Sequence, residues 1–134
     1  MKTFSQAWIK SKKPSKQRKY RENAPLHIKR RFLSIHLPKI LRTKYGRRSF
    51  PVRKGDVVKL LVGSFKGKSG KVSDVDIRRT KVYVEGIERT KKDGTKSFIA
   101  LEPSNLMFVE LNLDDKLRRQ ALERKIRVKQ NAPK

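Results

Sequence analysis

A chain of 134 residues with no cysteine has room for one domain plus extensions, and it excludes disulfides, thiolate catalysis and cysteine metal sites. Lys+Arg number 37 against 12 Asp+Glu, a formal charge of +25, and so large a surplus opposes compaction unless a polyanion neutralises it. That balance implies nucleic acid as the first partner and an anionic membrane surface as the second; no run approaches the roughly 20 apolar residues of a membrane span, and Lys10, Lys12 and Lys13 leave no secretory apolar core at the start.

The charge is uneven along the chain. Residues 1–54 hold 18 Lys+Arg and a single acid, Glu22, whereas residues 55–110 hold 11 and 8, and residues 111–134 hold 8 and 3. The start reads as an arm and the middle as a fold. Residues 1–25 have few apolar anchors and little periodicity, which predicts a basic extended arm, disordered alone in water. Residues 26–49 read as short helices. The first covers 26–33; in the second, Leu37, Ile40, Leu41 and Tyr45 share one face, with Pro38 near its start and Gly46 just past its end.

Residues 50–111 have the rhythm of a small β domain. Strands are predicted at 57–62, opened by Gly55-Asp56, and at 70–77, where Val72 and Val75 lie three apart and imply a bulge. Val82 and Val84 alternate cleanly with polar neighbours. Lys92-Asp93-Gly94-Thr95 is a tight hairpin signal before a strand at 96–101, and a last strand at 106–110 follows Pro103-Ser104-Asn105. Five short strands in about 55 residues suggest a strongly bent, SH3-like barrel, so the fold class is mainly β with helical flanks. Residues 112–134 form a basic helical tail, with Asn112 as cap, Asp114 and Asp115 in the first turn, and Leu113, Leu117 and Ala121 on one stripe.

The stretch GSFKGKSGK, residues 63–71, comes close to a nucleotide-binding phosphate loop. Such a loop needs four residues between its first glycine and Gly-Lys-Ser/Thr, and it must open a helix. Three intervene here, and Gly70-Lys71-Val72 enters a strand, so the nucleotide reading fails. Gly63, Gly67 and Gly70 instead let backbone amides approach a phosphate chain, Lys66, Lys68 and Lys71 supply charge, and Phe65 lies against a sugar or, in the plainer reading, tucks into the core. Arg47-Arg48 and Arg78-Arg79 flank predicted strands and continue a basic face, to which Lys19, Arg21, Lys44 and Arg53 add charge. His27 and His36 sit among cations with no triad spacing, and Asp74 and Asp76 on one strand face are more in keeping with ion pairs than with a metal.

The run FPVRKGDVVKLLVGSFKGKSGKVSDVDIRRTKVYVEG, residues 50–86, resembles a KOW module, an SH3-like barrel shared by certain ribosomal proteins and transcription elongation factors. NAPLHIKRRF (23–32), LRTKYGRRSFPVRKGD (41–56) and PSNLMFVELNLDD (103–115) are similar to one large-subunit ribosomal protein family, numbered twenty-four in archaea and bacteria and twenty-six in eukaryotes. The likeness runs over residues 16–117. It departs at Ile35-His36-Leu37-Pro38, where the family starts its short helix with proline-leucine.

This resemblance implies a non-catalytic, cytoplasmic, ribosome-bound protein with no cofactor. Its partners would be large-subunit ribosomal RNA and neighbouring ribosomal proteins, near the outlet of the peptide exit tunnel, with a role early in assembly. By position it implies RNA contact for Ser64, Phe65, Lys66, Gly67 and Lys68, and for the segment holding Asn23, His27, Lys29, Arg30 and Arg31. A KOW transcription elongation factor is the alternative, but residues 1–54 are too short and too basic for the polymerase-binding domain those factors carry. A DNA-compacting protein would bind duplex DNA and folded RNA alike, and an RNA-modifying enzyme would need an acid–base pair or cofactor loop that the chain lacks. If the basic arm engages eight phosphates, log affinity for RNA falls against log salt with a slope of roughly −6 to −7; filter binding over a salt series measures it, and a flat line contradicts it.

Overall fold

The computed structural model describes the backbone of residues 4–5, 7–8 and 10–130, with side chains to residue 124. The expectations for the first residues of the arm and the end of the tail lie outside that range. The elements in chain order are α1 (Pro14–Asn23), α2 (Leu26–Phe32), β1 (Ser34–His36), α3 (Lys39–Tyr45), β2 (Ser49–Pro51), β3 (Val57–Leu60), β4 (Ser69–Asp76), β5 (Lys81–Val84), β6 (Glu88–Thr90), β7 (Lys96–Phe98), a 3₁₀ turn (Pro103–Asn105), β8 (Leu106–Glu110) and α4 (Lys116–Gln130). Six strands form one mixed sheet in the order β2-β1-β8-β3-β4-β5, and β6 pairs with β7 alone. With four helices beside these strands among the described residues, the fold is mixed α and β rather than mainly β.

The arm is not extended throughout. Pro14 fits the first turn of a helix, and Lys, Gln, Arg, Tyr and Glu without glycine or a β-branched residue carry it to Asn23. Tyr20 then meets Phe4 at 4.8 Å, Trp8 at 5.2 Å and Phe32 at 6.3 Å between ring centroids. These four aromatics are scattered over nearly thirty residues, so no local period reveals the cluster that anchors α1. Ala24 is extended, as a residue before proline should be, and Pro25 opens α2.

α3 ends at Gly46, whose φ of 61° puts it in the left-handed region while its N–H bonds Arg42 O. Leu37 and Tyr45 are buried and Leu41 packs against the core, but Ile40 is 81% exposed, so the helix buries residues four apart and turns the fourth apolar one outward. β1 and β2 are not expected from the sequence, because three residues are too few to show a period. Ile35, in β1, is nonetheless fully buried, and β1 runs parallel to β8 through His36 and Met107.

The later strands follow the alternation closely. Val58, Leu60, Val72, Val82, Val84, Leu106 and Phe108 enter one core that also takes Leu33, Phe50, Ile87 and Leu122. The register of β4 against β5 shifts between Val72 and Asp74, which is the expected bulge. Lys91 N–H donates to Thr95 O and Gly94, at φ 78°, turns the hairpin.

The tail helix differs from its expected form. Asp115, not Asn112, caps α4 by accepting the Leu117 N–H at 2.8 Å, while Asn112 Oδ1 accepts from Asp114 N–H in the turn before it. Leu117 is 73% exposed, and the helix instead buries Leu122 and Arg118. A stripe counted from apolar residues alone misses this face, since one of its two anchors is charged.

Arg118 meets Asp56 in the interior. Its two terminal nitrogens bond Asp56 Oδ1 and Oδ2 at 2.8 and 2.7 Å, and the same carboxylate accepts from Arg53 N–H and Asn112 N–H. The guanidinium also donates to Asn112 O and Pro51 O and lies 5.4 Å from the Phe50 ring centre. A buried ion pair is weak evidence of net stabilisation, but breaking one side strands the other charge. Asp56→Ala and Arg118→Met should therefore each cost about 3–5 kcal/mol in urea unfolding, since each leaves the buried partner charge unpaired.

Candidate nucleic-acid interface

Residues 61–68 join β3 to β4. Gly63 and Gly67 adopt φ of 97° and 88°, conformations that cost other residues strain, and they shape the loop. Inside it Lys66 N–H donates to Gly63 O, Gly67 N–H to Leu60 O and Lys68 N–H to Phe65 O. Gly70 has a different reason to lack a side chain: a Cβ there would stand 2.5 Å from Glu85 O. The loop leads into a strand, so its amides are not those of a helix N-terminus, and the nucleotide-site reading fails on structure as it does on spacing.

Ser64, Lys66, Gly67 and Lys68 are exposed. Phe65 is half-buried against the core, with Lys68 Nζ 5.1 Å from its ring centre, so it supports the loop from beneath. Leu61 N–H donates to Asn105 O, tying the loop to the 3₁₀ turn, and β1 packs on that same turn. α2 runs directly into β1. The topology thereby brings the last-turn cations of α2, Lys29, Arg30 and Arg31, toward the end of the sheet that carries the loop. Ile28 anchors α2 in the interior while His27, Arg30 and Arg31 are exposed. On α1, Lys19, Arg21 and Asn23 are exposed as well.

Other expected site residues lie apart from that end. Arg78 and Arg79 sit in the turn after β4, the full length of the strand away, where Arg79 N–H bonds Asp76 and its guanidinium comes within 4.0 Å of the same carboxylate. Lys44 is exposed in the last turn of α3 and Arg48 just after that helix; Arg47 is partly covered, and its buried Nε has no hydrogen-bond partner. Lys71 is exposed on β4. Arg53 is engaged within the fold, its guanidinium 2.5 Å from Asp115.

Carboxylates account for the rest of the pattern. Asp74 pairs with Lys54 at 2.6 Å, Lys81 with Glu102, and Asp56 with Arg118, so acids in the folded part hold cations that position elements. Asp74 and Asp76 are both ion-paired, and among the described residues no group of three or more His, Asp or Glu is placed to hold a metal. His27 and His36 are exposed on separate elements. Lys19, Arg21, Lys29, Arg30, Arg31, Lys44, Arg48, Lys66, Lys68, Lys71 and Arg78 have no carboxylate partner among the described residues. A further set, Arg89, Lys91 and Lys92 around the β6–β7 turn, shares that condition and is not singled out by the sequence reading, although Lys91-Lys92 beside Asp93-Gly94 is there to be read.

Residues 11–125 match the family of ribosomal proteins called L26 in eukaryotes and numbered twenty-four in archaea. The chain belongs to that family. The match is wider at both ends than the 16–117 legible from motifs. Two relatives are named Large ribosomal subunit protein uL24. One, from Methanosphaera stadtmanae, is 47% identical over 116 residues, 87% of this chain and 99% of its own length. Another, from Korarchaeum cryptofilum, is 45% identical over 117 residues, 87% of this chain and 89% of its own. The family is one of ribosomal proteins and not of enzymes. Among the described residues no helix is long and apolar enough to cross a membrane.

Two carboxylates of this ribosomal-family chain titrate low. The Arg53 guanidinium, then the Leu117 N–H, hold Asp115 below its ordinary 3.8, and the Lys54 ammonium does the same for Asp74. A depressed carboxylate contributes stability that is whole above its unfolded-state value and is lost as pH falls through the lower folded-state value. In an NMR titration the shift of the Leu117 amide should move with a midpoint below 3.8, and Asp115→Asn should abolish that step.

Proposed function

We propose that the chain is a structural constituent of the large ribosomal subunit, bound to ribosomal RNA near the outlet of the peptide exit tunnel and joining the particle early in assembly. Strands β3 to β8 are read as the SH3-like barrel of a KOW module, a reading supported by the bulge in β4, the Val82–Leu101 bridge and the single core they enclose. Residues 1–25, 26–49 and 112–134 are its flanking arm, helices and tail. Both uL24 relatives are named as large-subunit proteins, which supports the same particle for this chain.

The observation that carries the RNA reading is the division of labour among cations. Arg53, Lys54, Lys81 and Arg118 are bound to carboxylates, whereas Lys66 and Lys68 stand unpaired on a glycine-shaped loop, with Arg30 and Arg31 toward the same end of the sheet. RNA helices close their major groove to side chains and are recognised by shape and backbone, a mode that asks for cations and amides. Residues Ser64 to Lys68 and Asn23 to Arg31 form the main contact, with Lys19, Arg21, Lys44, Arg47, Arg48, Lys71, Arg78 and Arg79 extending it. Localisation is that of the ribosome, in the cytoplasm.

The test is sedimentation of lysate through sucrose, followed by a high-salt wash of the ribosomal peak. Retention on the large subunit is the expected result; comigration with RNA polymerase, or release into light fractions at moderate salt, would overturn it. In RNA binding by the purified chain, Lys66→Ala combined with Lys68→Ala should reduce the salt slope by about 2 while leaving thermal unfolding unchanged.

A further inference from the structure

The β6–β7 hairpin pairs with no strand of the main sheet. Ile99 N–H donates to Ile87 O, carrying the hairpin's ladder down to the buried Ile87, and the Val82–Leu101 bridge ties the chain beyond it to β5. The hairpin is firmly built for its size. Glu88, Arg89 and Thr90 register with Phe98, Ser97 and Lys96, and the Asp93 side chain accepts from both the N–H and the hydroxyl of Thr95.

Five of the six phenylalanines are packed. Phe50 and Phe108 are in the core, Phe65 lies against it, and Phe4 and Phe32 belong to the Tyr20 cluster. Phe98 has no such place: it is 54% exposed and lines an open cleft of 410 Å³ with Arg89, Thr90, Lys91, Lys92 and Ser97. Arg89, Lys91 and Lys92 have no carboxylate partner among the described residues. The two acids nearby are occupied, Asp93 by Thr95 and Glu88 by Lys96 at 4.0 Å. The cleft therefore presents an aromatic ring with three unpaired cations along its lining, while Glu88, across the ladder from Phe98, is taken by Lys96.

That combination suits a flat ring carrying adjacent negative charge. A base in single-stranded nucleic acid supplies both, since its face is open for stacking and its phosphates lie one on each side. A duplex hides base faces within its stack, and an apolar peptide would leave three cations unneutralised. We propose that the β6–β7 hairpin holds an unstacked base of a single-stranded RNA segment on Phe98, with Arg89, Lys91 and Lys92 on the flanking phosphates. The proposal rests on the RNA-binding reading above but assigns this hairpin a different target from the 61–68 loop: an open strand in place of folded backbone.

The test uses the full chain with labelled oligoadenylate and a blunt RNA duplex as separate probes. Phe98 is on the surface, so its substitution leaves the core intact. Phe98→Leu should weaken oligoadenylate binding about 5- to 150-fold, with the salt slope and duplex binding unchanged. Phe98→Trp should keep the affinity, and its added indole emission should be quenched by oligoadenylate beyond any change in Trp8 of the unsubstituted chain. Unchanged oligoadenylate binding by Phe98→Leu, or an unquenched indole, overturns the base platform while duplex binding still upholds the wider reading. Reduced incorporation of Phe98→Leu into subunits with oligoadenylate binding unchanged would also overturn it, assigning the ring to a protein neighbour. Failure of the unsubstituted chain to bind either probe would remove the parent reading itself.

Discussion

The Asp56–Arg118 pair joins parts of the chain that share no local relation. Asp56 lies just before β3, Arg118 in the first turns of α4, and the carboxylate also receives the Arg53 and Asn112 amides, so one buried group closes a loop, receives the exit from β8 and docks the C-terminal helix. Each oxygen is fully used, the condition under which a buried charge is tolerated. Arg118 continues the work by donating to Asn112 O and Pro51 O, which brings in the end of β2. Asp115 repeats the device nearer the surface, capping α4 while holding Arg53.

In a protein with three times as many cations as acids, where the acids go decides what the cations can do. Placing Asp115, Asp74, Glu102 and Asp56 on Arg53, Lys54, Lys81 and Arg118 fixes the framework. The surplus then falls on the 61–68 loop, α1, α2 and the hairpin, where positive charge faces solvent. Concentrated like charge repels itself, so these surfaces gain most from a polyanion, and the family to which the chain belongs is one of ribosomal proteins.

The two basic projections are built by different means and suit different targets. The loop uses glycines at positive φ to turn sharply, supports itself on a half-buried Phe65, and presents lysines without an exposed ring. The hairpin is a regular two-stranded ribbon in which Phe98, across from Glu88, stays outside the core and lines a cleft with Arg89, Lys91 and Lys92. A backbone-shaped target needs the first arrangement and an exposed base the second.

Composition, the charge surplus and the motifs of residues 23–56 and 103–115 were sufficient for the family, the strands β3, β4, β5, β7 and β8, the bulge in β4 and the Asp93-Gly94 turn, but not for the three-residue β6. All of these follow from short-range rules: side-chain alternation, glycine conformations and turn chemistry. Tertiary structure alone decided the rest. Phe4, Trp8, Tyr20 and Phe32 meet only when the arm folds back, so short-range rules read α1 as an extended segment. β1 is too short to carry a period and is held by its neighbours. α4 buries an arginine because Asp56, some sixty residues earlier, waits for it; no count of apolar residues along a helix can register a partner supplied by a distant loop.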